Sequence, residues 1–547
     1  MRFRKYIKFK MRAVFTKSSR TKILILIVLL LAYVIIYFVV LDYLISKTHS
    51  DVKSSLNLPN VIVHIDFKGS PPKLSYLKTL LPKLQELSVT GLLLEYEDMF
   101  PYEDNLVNLS AKNCYSRSDL HDFVATAAQT GFELIPLIQT FGHMEHALKL
   151  MQFQHLREEA LHPDSLCPSR VESQDLIKSM LEQVVTFHNN ISPLKHFHIG
   201  CDEVFHINKC HLCTRRGLAD TDIFVKHVKS VTKLLKLISP NMTILMWDDG
   251  LRNIPIYKWD TFIQNLSIEP VYWDYRPSLS VSHVNFMKYH EKFRNIWIAS
   301  AFKGADGRVA TFPDLKRRFL NHFSWLSLIH NYKLAGTNDV YSFKGIILTG
   351  WSRYSHMDPP CELLPISIPS LYLNLLLVKH FKTTGYSEDD KKLKLNEYIN
   401  RYLDSDFIDN VECDSTINID YFDTSQCNFV GNELYNIHKH LNIIHSDITF
   451  NINDDESGLS SVDFYSKTHN ININKVKEDI KWCNETTREL LYVENKLRNS
   501  LTQFYDNFFI NEYIGYKLHN WKNLLHNLSK NLKDMLIIRS WDRRPYA

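Results

Sequence analysis

The body of this sequence lacks the excess of basic residues that binding to nucleic acid requires. Of the 64 Lys and Arg residues, nine fall within residues 1–22, which contain no acidic residue, so 55 remain against 60 Asp and Glu residues. A slightly acidic body disfavours nucleic acid as a partner. Apolar residues make up 45% and charged residues 23% of the chain, and this ordinary globular composition excludes disorder of the whole chain.

Charge is also absent from the run ILILIVLLLAYVIIYFVVL at residues 23–41. At about 1.5 Å per residue this length roughly matches a hydrocarbon core of about 30 Å, so a transmembrane anchor over residues 23–45 is expected. A buried core helix and a cleaved signal peptide are the alternatives, but the run is long for a signal peptide and has no clear small-residue cleavage site. Residues 1–22 are then a cytosolic tail and residues 46–59 a linker.

The charges that flank this run orient the chain in the membrane. Nine basic residues precede it, whereas Lys47 and Lys53 on the other side are offset by Asp42 and Asp51. The positive-inside rule therefore predicts a single-pass type II membrane protein, with the body of the chain in the lumen of the secretory pathway. The short tail and short span favour the Golgi.

Glycosylation sequons support the same location. The N-x-[ST] motif accepts N-linked glycans on lumenal surfaces. Six such motifs occur, at Asn108, Asn190, Asn241, Asn265, Asn484 and Asn527. Together with the membrane segment they indicate a glycoprotein.

Closely spaced cysteines are scarce. The nine cysteines all follow the anchor, and Cys210 and Cys213 form the only close pair. An oxidising lumen favours a disulfide between them, and free thiols or a zinc site that adds His206 and His211 are the alternatives. We expect a disulfide that fixes this loop, no cofactor and no catalytic metal.

Short apolar runs alternate with amphipathic segments of helical period over residues 60–383. The predicted strands are 61–66, 92–96, 133–138, 196–200, 244–247, 271–274, 296–301 and 345–349. The predicted helices are 74–87, 117–130, 172–188, 222–238, 281–293, 314–332 and 366–380. Eight βα units are typical of a (β/α)8 barrel, which usually has about 250 residues before insertions. A doubly wound sheet is the alternative, but no Gly-rich phosphate loop follows the first strand.

The region after the barrel, residues 384–547, has a different character. An Asn- and Asp-rich stretch at 451–474 precedes a helical run at 478–535, and no catalytic constellation occurs there. We expect a helical appendage that packs on the barrel or mediates association, for example as a homodimer. The expected fold class is therefore α/β, a (β/α)8 TIM barrel with an N-terminal transmembrane helix and a C-terminal mainly helical region.

Polar and aromatic residues gather at the C-terminal ends of the predicted strands. The eight strand ends carry DFK at 66–68, EYED at 95–98, QTFGH at 139–143, GCDE at 200–203, WDD at 247–249, WDYR at 273–276, FKG at 302–304 and GWSRY at 350–354. Barrel enzymes build their active sites from these strand ends, and a purely structural barrel has no reason for such a bias.

Asp202 and Glu203 are adjacent, and neighbouring side chains of a strand point to opposite faces. Both can face one pocket only where the strand is ending. Trp247, Trp273 and Trp351 lie at three other strand ends. Carboxylates between aromatic walls suit a sugar, because a pyranose offers a CH face for stacking and hydroxyls for hydrogen bonds. An acidic pair or a single tryptophan is more often structural, but this combination predicts a carbohydrate pocket.

The segment HIGCDEV at residues 198–204 resembles the acid/base signature of glycoside hydrolase family 20, and the wider set of motifs resembles its hexosaminidase D branch. The supporting motifs run in order from residue 61 to about 370: VHIDFKGSPPKLSYL, LLLEYEDMFPYE, IPLIQTFGHMEH, LMWDD, VYWDYRP, AFKGA and GWSRYSHMDPPCELLP. The resemblance covers neither the anchor nor the C-terminal third. That branch is generally pictured as soluble and intracellular, so localisation is taken from this sequence.

The resemblance implies a retaining exo-β-N-acetylhexosaminidase that uses substrate-assisted catalysis, with the substrate's own 2-acetamido oxygen as nucleophile. Glu203 would be the general acid/base, for which a raised pKa is expected. Asp202 would hold the acetamido N–H in ionised form, and Tyr275 would bind the acetamido carbonyl, although the family usually supplies this Tyr from another strand end. The partner would be a glycan or glycoconjugate ending in N-acetylglucosamine or N-acetylgalactosamine.

Further side chains are expected to bind the substrate. They are Trp247, Trp273 and Trp351 as walls, His143 as an orienting group, and Asp66, Glu97 and Arg353 for the hydroxyls. The Arg that many family members place after the first strand is absent, and Lys68 is nearby. The alternatives are a lumenal barrel glycosidase that uses two separated carboxylates, for example Glu97 with Glu203, and a barrel that binds glycans without cleaving them.

Overall fold

The computed structural model describes residues 33–37 and 55–540, except for residues 294, 335–341, 388, 414–415, 421–422, 454–458, 460–461 and 463–471. The predicted tail lies outside the described residues, and so do most of the predicted anchor and linker. Within the predicted anchor, residues 33–37 are helical and exposed. Among the described residues, the helical stretch Leu364–Thr383 is long and apolar enough to span a bilayer, but it is 94% buried inside the protein, as a core helix would be.

Eight parallel strands close into a barrel. The ten strands of the described residues are β1 Asn60–Asp66, β2 Gly91–Glu95, β3 Glu133–Leu137, β4 Arg157–Glu159, β5 His162–Leu166, β6 His196–His198, β7 Thr243–Trp247, β8 Glu269–Trp273, β9 Ile296–Lys303 and β10 Phe343–Gly350. All except β4 and β5 belong to the barrel, and they follow one another around it in chain order until β10 pairs with β1. The predicted barrel and its eight strands are confirmed.

Side chains that point inward fill the barrel, as expected for this fold. The buried interior cluster contains Ile62, Leu93, Ile135, Leu137, Leu245, Trp247, Val271, Trp297, Ala299 and Ile347. The opposite faces of the strands pack against the surrounding helices in a second, larger core. Among the described residues, the interior of the barrel is therefore filled by side chains.

Helices surround the barrel and form the C-terminal region. Their bounds are α1 Leu74–Glu86, α2 Arg117–Gln129, α3 Glu145–Leu148, α4 Val171–Asn189, α5 His211–Thr214, α6 Asp220–Ile238, α7 Asp249–Arg252, α8 Ile256–Ile263, α9 His283–Lys292, α10 Leu315–Leu334, α11 Ile368–Thr383, α12 Leu395–Tyr402, α13 Asp404–Val411, α14 Asn432–Asn453, α15 Ile473–Leu501 and α16 Asn507–Met535. The seven predicted helices are confirmed within a few residues. The antiparallel β4–β5 hairpin, inserted after β3, was not predicted.

The C-terminal helices pack against the barrel and share its outer hydrophobic core. The predicted helical run at 478–535 is present as two helices, because α15 ends at Leu501 and the side chain of Asp506 caps α16 by accepting the backbone N–H of Phe509. The turn between the two helices contacts the start of α1, where the N–H of Lys73 donates to the carbonyl of Phe504 at 2.7 Å. A hydrogen-bonded turn and a helix cap between Leu501 and Asn507 therefore interrupt the helical pattern of this segment.

Candidate active site

A cavity of about 460 Å³ opens at the C-terminal ends of the barrel strands. This volume lies within the usual range for small-molecule sites. Residues from seven strand ends line it, including Lys68 after β1, His143 after β3, Asp202 and Glu203 after β6, Trp247 on β7, Trp273 and Tyr275 around the end of β8, Gly304 after β9, and Trp351 and Arg353 after β10. The sequence-predicted gathering of polar and aromatic side chains at this end of the barrel is confirmed.

The backbone after β6 turns both catalytic candidates into this cavity. β6 ends at His198, two residues earlier than predicted, and Gly200, Cys201 and Glu203 adopt positive φ angles of 65°, 68° and 46°. This left-handed geometry breaks the strand alternation that would send neighbouring side chains to opposite faces. Asp202 and Glu203 therefore both line the cavity.

Asp202 lies at the buried end of the pair. Its residue is 7% exposed, and the side-chain amide of Gln139 donates to its Oδ1 at 3.0 Å. Burial raises the pKa of Asp202, and the charge of His143 opposes that effect. Gln139 is a residue that sequence reasoning did not select, although it lies at the end of β3 among the polar residues noted there.

Glu203 lies nearer the solvent, with 41% of its side chain exposed. Its backbone N–H donates to Oδ2 of Asp249 at 2.9 Å, and Oδ1 of Asp249 accepts from the indole of Trp273 at 3.2 Å. Asp249 thus links the acid/base candidate to one wall of the pocket. Burial, followed by the charge of Asp202, raises the pKa of Asp249 to about 7.

His143 bridges the two carboxyl groups. Its Nε2 lies 3.3 Å from Glu203 Oε2 and 3.6 Å from Asp202 Oδ2. Burial alone would lower the pKa of His143, but the charge of Asp202 and the contact with Glu203 prevail and raise it to about 10. The imidazole is therefore a cation at neutral pH, and it lies beside the two carboxyl groups, one of which it was expected to orient.

The expected raised pKa of Glu203 is wrong in this structure. The contact with His143 outweighs burial and lowers the pKa of Glu203 below its ordinary value, whereas Asp202 has the raised pKa. The physical reason is that the histidine cation lies close to Glu203, while Asp202 is more deeply buried. The proximity of His143 and the difference in burial both depend on the folded structure, so the sequence around residues 202 and 203 does not reveal them.

Aromatic rings wall the cavity as predicted. The rings of Trp247 and Trp351 lie 5.8 Å apart between centroids, and those of Trp273 and Tyr275 stack at 5.3 Å. Arg252 holds Trp273 through a hydrogen bond from Nη2 to its carbonyl at 2.7 Å. Burial raises the pKa of Tyr275, so its hydroxyl keeps its proton and can donate a hydrogen bond into the cavity.

Asp66 and Glu97 are not among the residues that line the cavity. Asp66 Oδ2 accepts the N–H of Ser352 at 2.8 Å, and Glu97 Oε2 pairs with Nδ1 of His356 at 2.8 Å. Both carboxyl groups lie behind Lys68, whose Nζ is 4.0 Å from Asp66 Oδ2 and 3.6 Å from Glu97 Oε1. Of these three residues, only Lys68 lines the cavity, and Asp66 and Glu97 are its buried partners.

Arg353 lines the cavity but is largely occupied by the protein. Its guanidinium donates to the carbonyls of Asp358 and Gly69 at 2.7 and 2.6 Å, and to Glu512 of α16 at 2.7 Å. The contact with α16 connects the C-terminal region to the rim of the site. No pattern in the sequence indicated this pairing.

The predicted disulfide between Cys210 and Cys213 is wrong, because both residues are free thiols. Cys167 instead brings its sulfur to 3.3 Å from that of Cys210 and 3.8 Å from that of Cys213. A disulfide joins Cys413 and Cys427 in the C-terminal region. His206, considered above as a zinc ligand with this pair, contacts Asp164 at 2.9 Å.

A parallel barrel whose strand ends place two adjacent carboxyl groups between tryptophan walls is a barrel enzyme built for a carbohydrate. Comparisons with known proteins agree. The family model "Glycosyl hydrolase family 20, catalytic domain" matches residues 80–270. Hexosaminidase D of Homo sapiens is 40% identical over 338 residues, which cover 60% of this chain and 67% of the human protein. Hexosaminidase D of Bos taurus is 39% identical over 327 residues, or 58% of this chain and 92% of the bovine protein.

This chain therefore belongs to glycoside hydrolase family 20, in its hexosaminidase D branch. Among solved structures, β-N-acetylhexosaminidase from Bacteroides fragilis matches with a TM-score of 0.46 and 12% identity, over 64% of this chain and 70% of that one. That likeness is too weak to add to the strand pairing, on which the barrel assignment rests.

Proposed function

We propose that this protein is a retaining exo-β-N-acetylhexosaminidase that removes terminal N-acetylhexosamine by substrate-assisted catalysis. The observation that carries the proposal is the convergence of Asp202 and Glu203 on one tryptophan-walled cavity, with Asp202 buried and Glu203 near the solvent. A buried carboxylate suits a fixed amide N–H of the substrate. A partly exposed one suits the exchange of a proton with a leaving group and then with water.

The acetamido group of the substrate would be the nucleophile. Asp202, held by Gln139, accepts the acetamido N–H and opposes the positive charge of the oxazolinium-like intermediate. Tyr275 donates its hydroxyl proton in a hydrogen bond to the acetamido oxygen, which then attacks the anomeric carbon. The stacked rings of Trp273 and Tyr275 and the neighbouring rings of Trp247 and Trp351 would enclose the sugar.

Glu203 needs a proton when it meets the glycosidic oxygen, and His143 is the nearest source. His143 Nε2 lies 3.3 Å from Glu203 Oε2, and the raised pKa of His143 makes its ring a cation at neutral pH. A bound sugar removes water from Glu203, and desolvation disfavours its charged form, which raises its pKa. The proton would thus pass from His143 to Glu203 as the site fills. Glu203 then protonates the leaving oxygen and later takes a proton from the water that opens the intermediate.

The hydroxyl groups of the sugar would meet Lys68 rather than Asp66 or Glu97. Burial would lower the pKa of Lys68, but the charges of Asp66, Glu95 and Glu97 outweigh it and raise that pKa well above its ordinary value. The ammonium group is therefore a permanent hydrogen-bond donor at the cavity wall. It would take the place of the arginine that the resemblance leads one to expect after β1.

A glycosidase that uses Glu97 with Glu203 is disfavoured by the position of Glu97. That carboxyl group is 1% exposed and hydrogen-bonded to His356, and burial raises its pKa well above its ordinary value. A group so enclosed has no path to a substrate in the cavity. The acetamido group thus remains the better nucleophile.

We also propose that residues 23–45 anchor the chain in a membrane of the secretory pathway, with the barrel in the lumen and the Golgi as the compartment. The charge asymmetry around the apolar run supports this topology. Five of the six sequon asparagines are exposed, and Asn484 is half-buried. The Cys413–Cys427 disulfide is a further feature typical of an oxidising compartment.

The decisive experiment for the activity uses the full-length protein in detergent with an aryl N-acetyl-β-hexosaminide. We expect release of the aryl group and competitive inhibition by a compound that resembles the oxazoline intermediate. The matched control is the corresponding 2-hydroxyl glycoside, which lacks the acetamido group and should be cleaved far more slowly. Equal cleavage of both, or no inhibition by the oxazoline mimic, would rule out substrate assistance. Binding of glycans without any cleavage would rule out the enzyme.

A further inference from the structure

Four potential metal ligands lie together beside the loop that follows Glu203. They are the carboxyl group of Glu158 on β4 and the sulfurs of Cys167, Cys210 and Cys213, and the ligand atoms all lie within 4.8 Å of one another. Glu158, Cys167 and Cys213 are buried, and Cys210 is half-buried. The cluster joins two separate insertions of the barrel, the β4–β5 hairpin and the loop between β6 and α6.

The separations of these atoms suit the edges of a tetrahedron around zinc. A Zn–S bond of about 2.3 Å in tetrahedral geometry places two sulfurs about 3.8 Å apart. The sulfur of Cys167 lies 3.8 Å from that of Cys213 and 3.3 Å from that of Cys210. Oε2 of Glu158 lies 3.2 Å from the sulfur of Cys213. Small adjustments of side-chain rotation would therefore complete the coordination.

Hydrogen bonds from the surroundings orient two of these groups. The backbone N–H groups of Lys209 and Cys210 donate to Oε1 of Glu158 at 2.7 and 2.9 Å, which leaves Oε2 facing the sulfurs. The backbone N–H of Cys213 points to the sulfur of Cys210 at 3.4 Å. Donors of this kind fix metal ligands in place and offset their negative charge.

A serine and an arginine complete this outer layer around Cys213. The hydroxyl of Ser169 lies 3.1 Å from the Cys213 sulfur, and Nη1 of Arg216 donates to the same hydroxyl at 2.9 Å. The arginine occupies the acceptor position of the serine oxygen and leaves the hydroxyl proton available for the sulfur. Arg216 also brings a positive charge close to a group of ligands that are anionic when they bind metal.

A disulfide accounts for the cluster less well than a metal ion does. A bond between any two of the three sulfurs would leave the third as a thiol, and it would leave the buried carboxyl group of Glu158 without a cation. All three cysteines are free thiols, whereas Cys413 and Cys427 are joined. Three sulfurs and one carboxylate oxygen are instead a complete set of four ligands for zinc.

We infer that Glu158, Cys167, Cys210 and Cys213 bind one structural zinc ion, which fastens the β4–β5 hairpin to the loop that carries Glu203. With four protein ligands the ion has no open position for water or substrate, so its role is to hold these loops and not to take part in the reaction. The loop runs only seven residues from Glu203 to Cys210. The inference does not depend on the nature of the substrate.

The test is the metal content of the full-length protein, expressed with added zinc, purified without a histidine tag and measured by mass spectrometry. We expect stoichiometric zinc in the wild type. An X-ray absorption spectrum at the zinc edge should show mainly sulfur neighbours at about 2.3 Å. Cys167→Ser and Cys213→Ser should lose the metal. Cys114→Ser, a free cysteine outside the cluster, should retain it.

A second control separates this cluster from its neighbour. His162, Asp164 and His206 form another group of potential ligands nearby. His162→Gln should keep zinc if the sulfur cluster binds it. The inference is overturned if the wild type contains no zinc, if the metal survives Cys167→Ser but not His162→Gln, or if peptide mapping finds Cys167 in a disulfide with Cys210 or Cys213. Should the cysteine variants fail to fold, the metal content and absorption spectrum of the wild type still decide.

Discussion

Two neighbouring carboxyl groups acquire different properties at the end of β6 because their surroundings differ. Asp202 is buried against the amide of Gln139, and Glu203 is partly exposed beside the cation of His143. The pKa of Asp202 is raised by burial and that of Glu203 is lowered by the histidine. The roles we assign to the two acids therefore require the substrate itself to change the environment of Glu203.

Substitution of each acid should separate these roles. Glu203→Gln should slow cleavage of a substrate with a poor leaving group by about 10² to 10⁴ in rate, because the leaving oxygen is no longer protonated. The same change should affect the first step less with an activated aryl leaving group. Asp202→Asn should damage both reactions, since acetamido positioning serves every substrate.

The measurement is the rate of the first step for each substrate in single-turnover experiments. Glu172→Gln, at an exposed site on α4, is the control and should leave both rates unchanged. Equal losses for both substrates in Glu203→Gln would contradict its assignment as the acid.

The raised pKa of His143 has a consequence for stability. A group whose pKa is higher in the folded than in the unfolded protein stabilises the fold fully below its unfolded pKa of about 6.5. That contribution is lost as the pH rises towards the folded value of about 10. The stability advantage of the wild type over His143→Gln should therefore shrink between pH 6.5 and 10, as measured by urea unfolding at several pH values.

Asp202→Asn provides the control for this pH effect. It removes the carboxylate that contributes most to raising the pKa of His143. In that background the same comparison should depend less on pH. A constant difference between wild type and His143→Gln across the range would show that the histidine is not a cation in the folded protein.

At the scale of elements, the site depends on how the loops after β3 and β6 pack against each other. β6 contains only three residues, so the backbone that carries Asp202 is held by its neighbours rather than by strand pairing. A Cβ atom at Gly142 would lie 2.1 Å from the backbone oxygen of Asp202, which no real contact allows. Glycine at this position therefore permits the loop after β3 to approach the backbone of Asp202 and Glu203.

Gly142→Ala should displace this backbone and impair catalysis more than folding. A shift of about 1 Å in a reacting group can cost about 10²-fold in rate, and we expect a loss of this order in kcat/KM. Gly515→Ala is the matched control, since a Cβ atom there meets nothing within 4 Å. Thermal unfolding should confirm that both variants fold. Full activity in Gly142→Ala would show that the two loops do not need this contact.

At the scale of the whole molecule, the C-terminal helices and the barrel share one core and meet at the rim of the site. Glu512 of α16 accepts a hydrogen bond from Arg353, and the α15–α16 turn contacts the start of α1. The outer surface presents five exposed sequon asparagines. Glycosylation of these asparagines would therefore test the proposed lumenal location directly.

Expressed in an animal cell, the protein should lose mass on treatment with a deglycosylating enzyme, because its sequons would face the lumen. Its C-terminus should be protected from protease in sealed vesicles and become accessible when detergent is added. Removal of residues 1–45 behind a cleaved signal peptide is the control and should release a glycosylated, soluble product. An unglycosylated cytosolic protein would contradict the type II topology.

The sequence by itself determined the barrel, its eight strands and the end at which the site lies. Strand and helix periods repeat locally, and residues at the C-terminal ends of parallel strands must share one end of a barrel. The choice of Asp202, Glu203 and the three tryptophans depended on the same rule and on a resemblance between motifs.

Only the tertiary structure decided which groups meet across the chain. In the structure, Asp66 and Glu97 lie behind Lys68 and not in the cavity, and contact with His143 lowers the pKa of Glu203. It also brought Cys167 to a cysteine pair more than 40 residues away, with a separation of 43 residues to Cys210. Burial and electrostatic contacts depend on distances in space, and residues far apart in the chain give no local pattern from which those distances can be read.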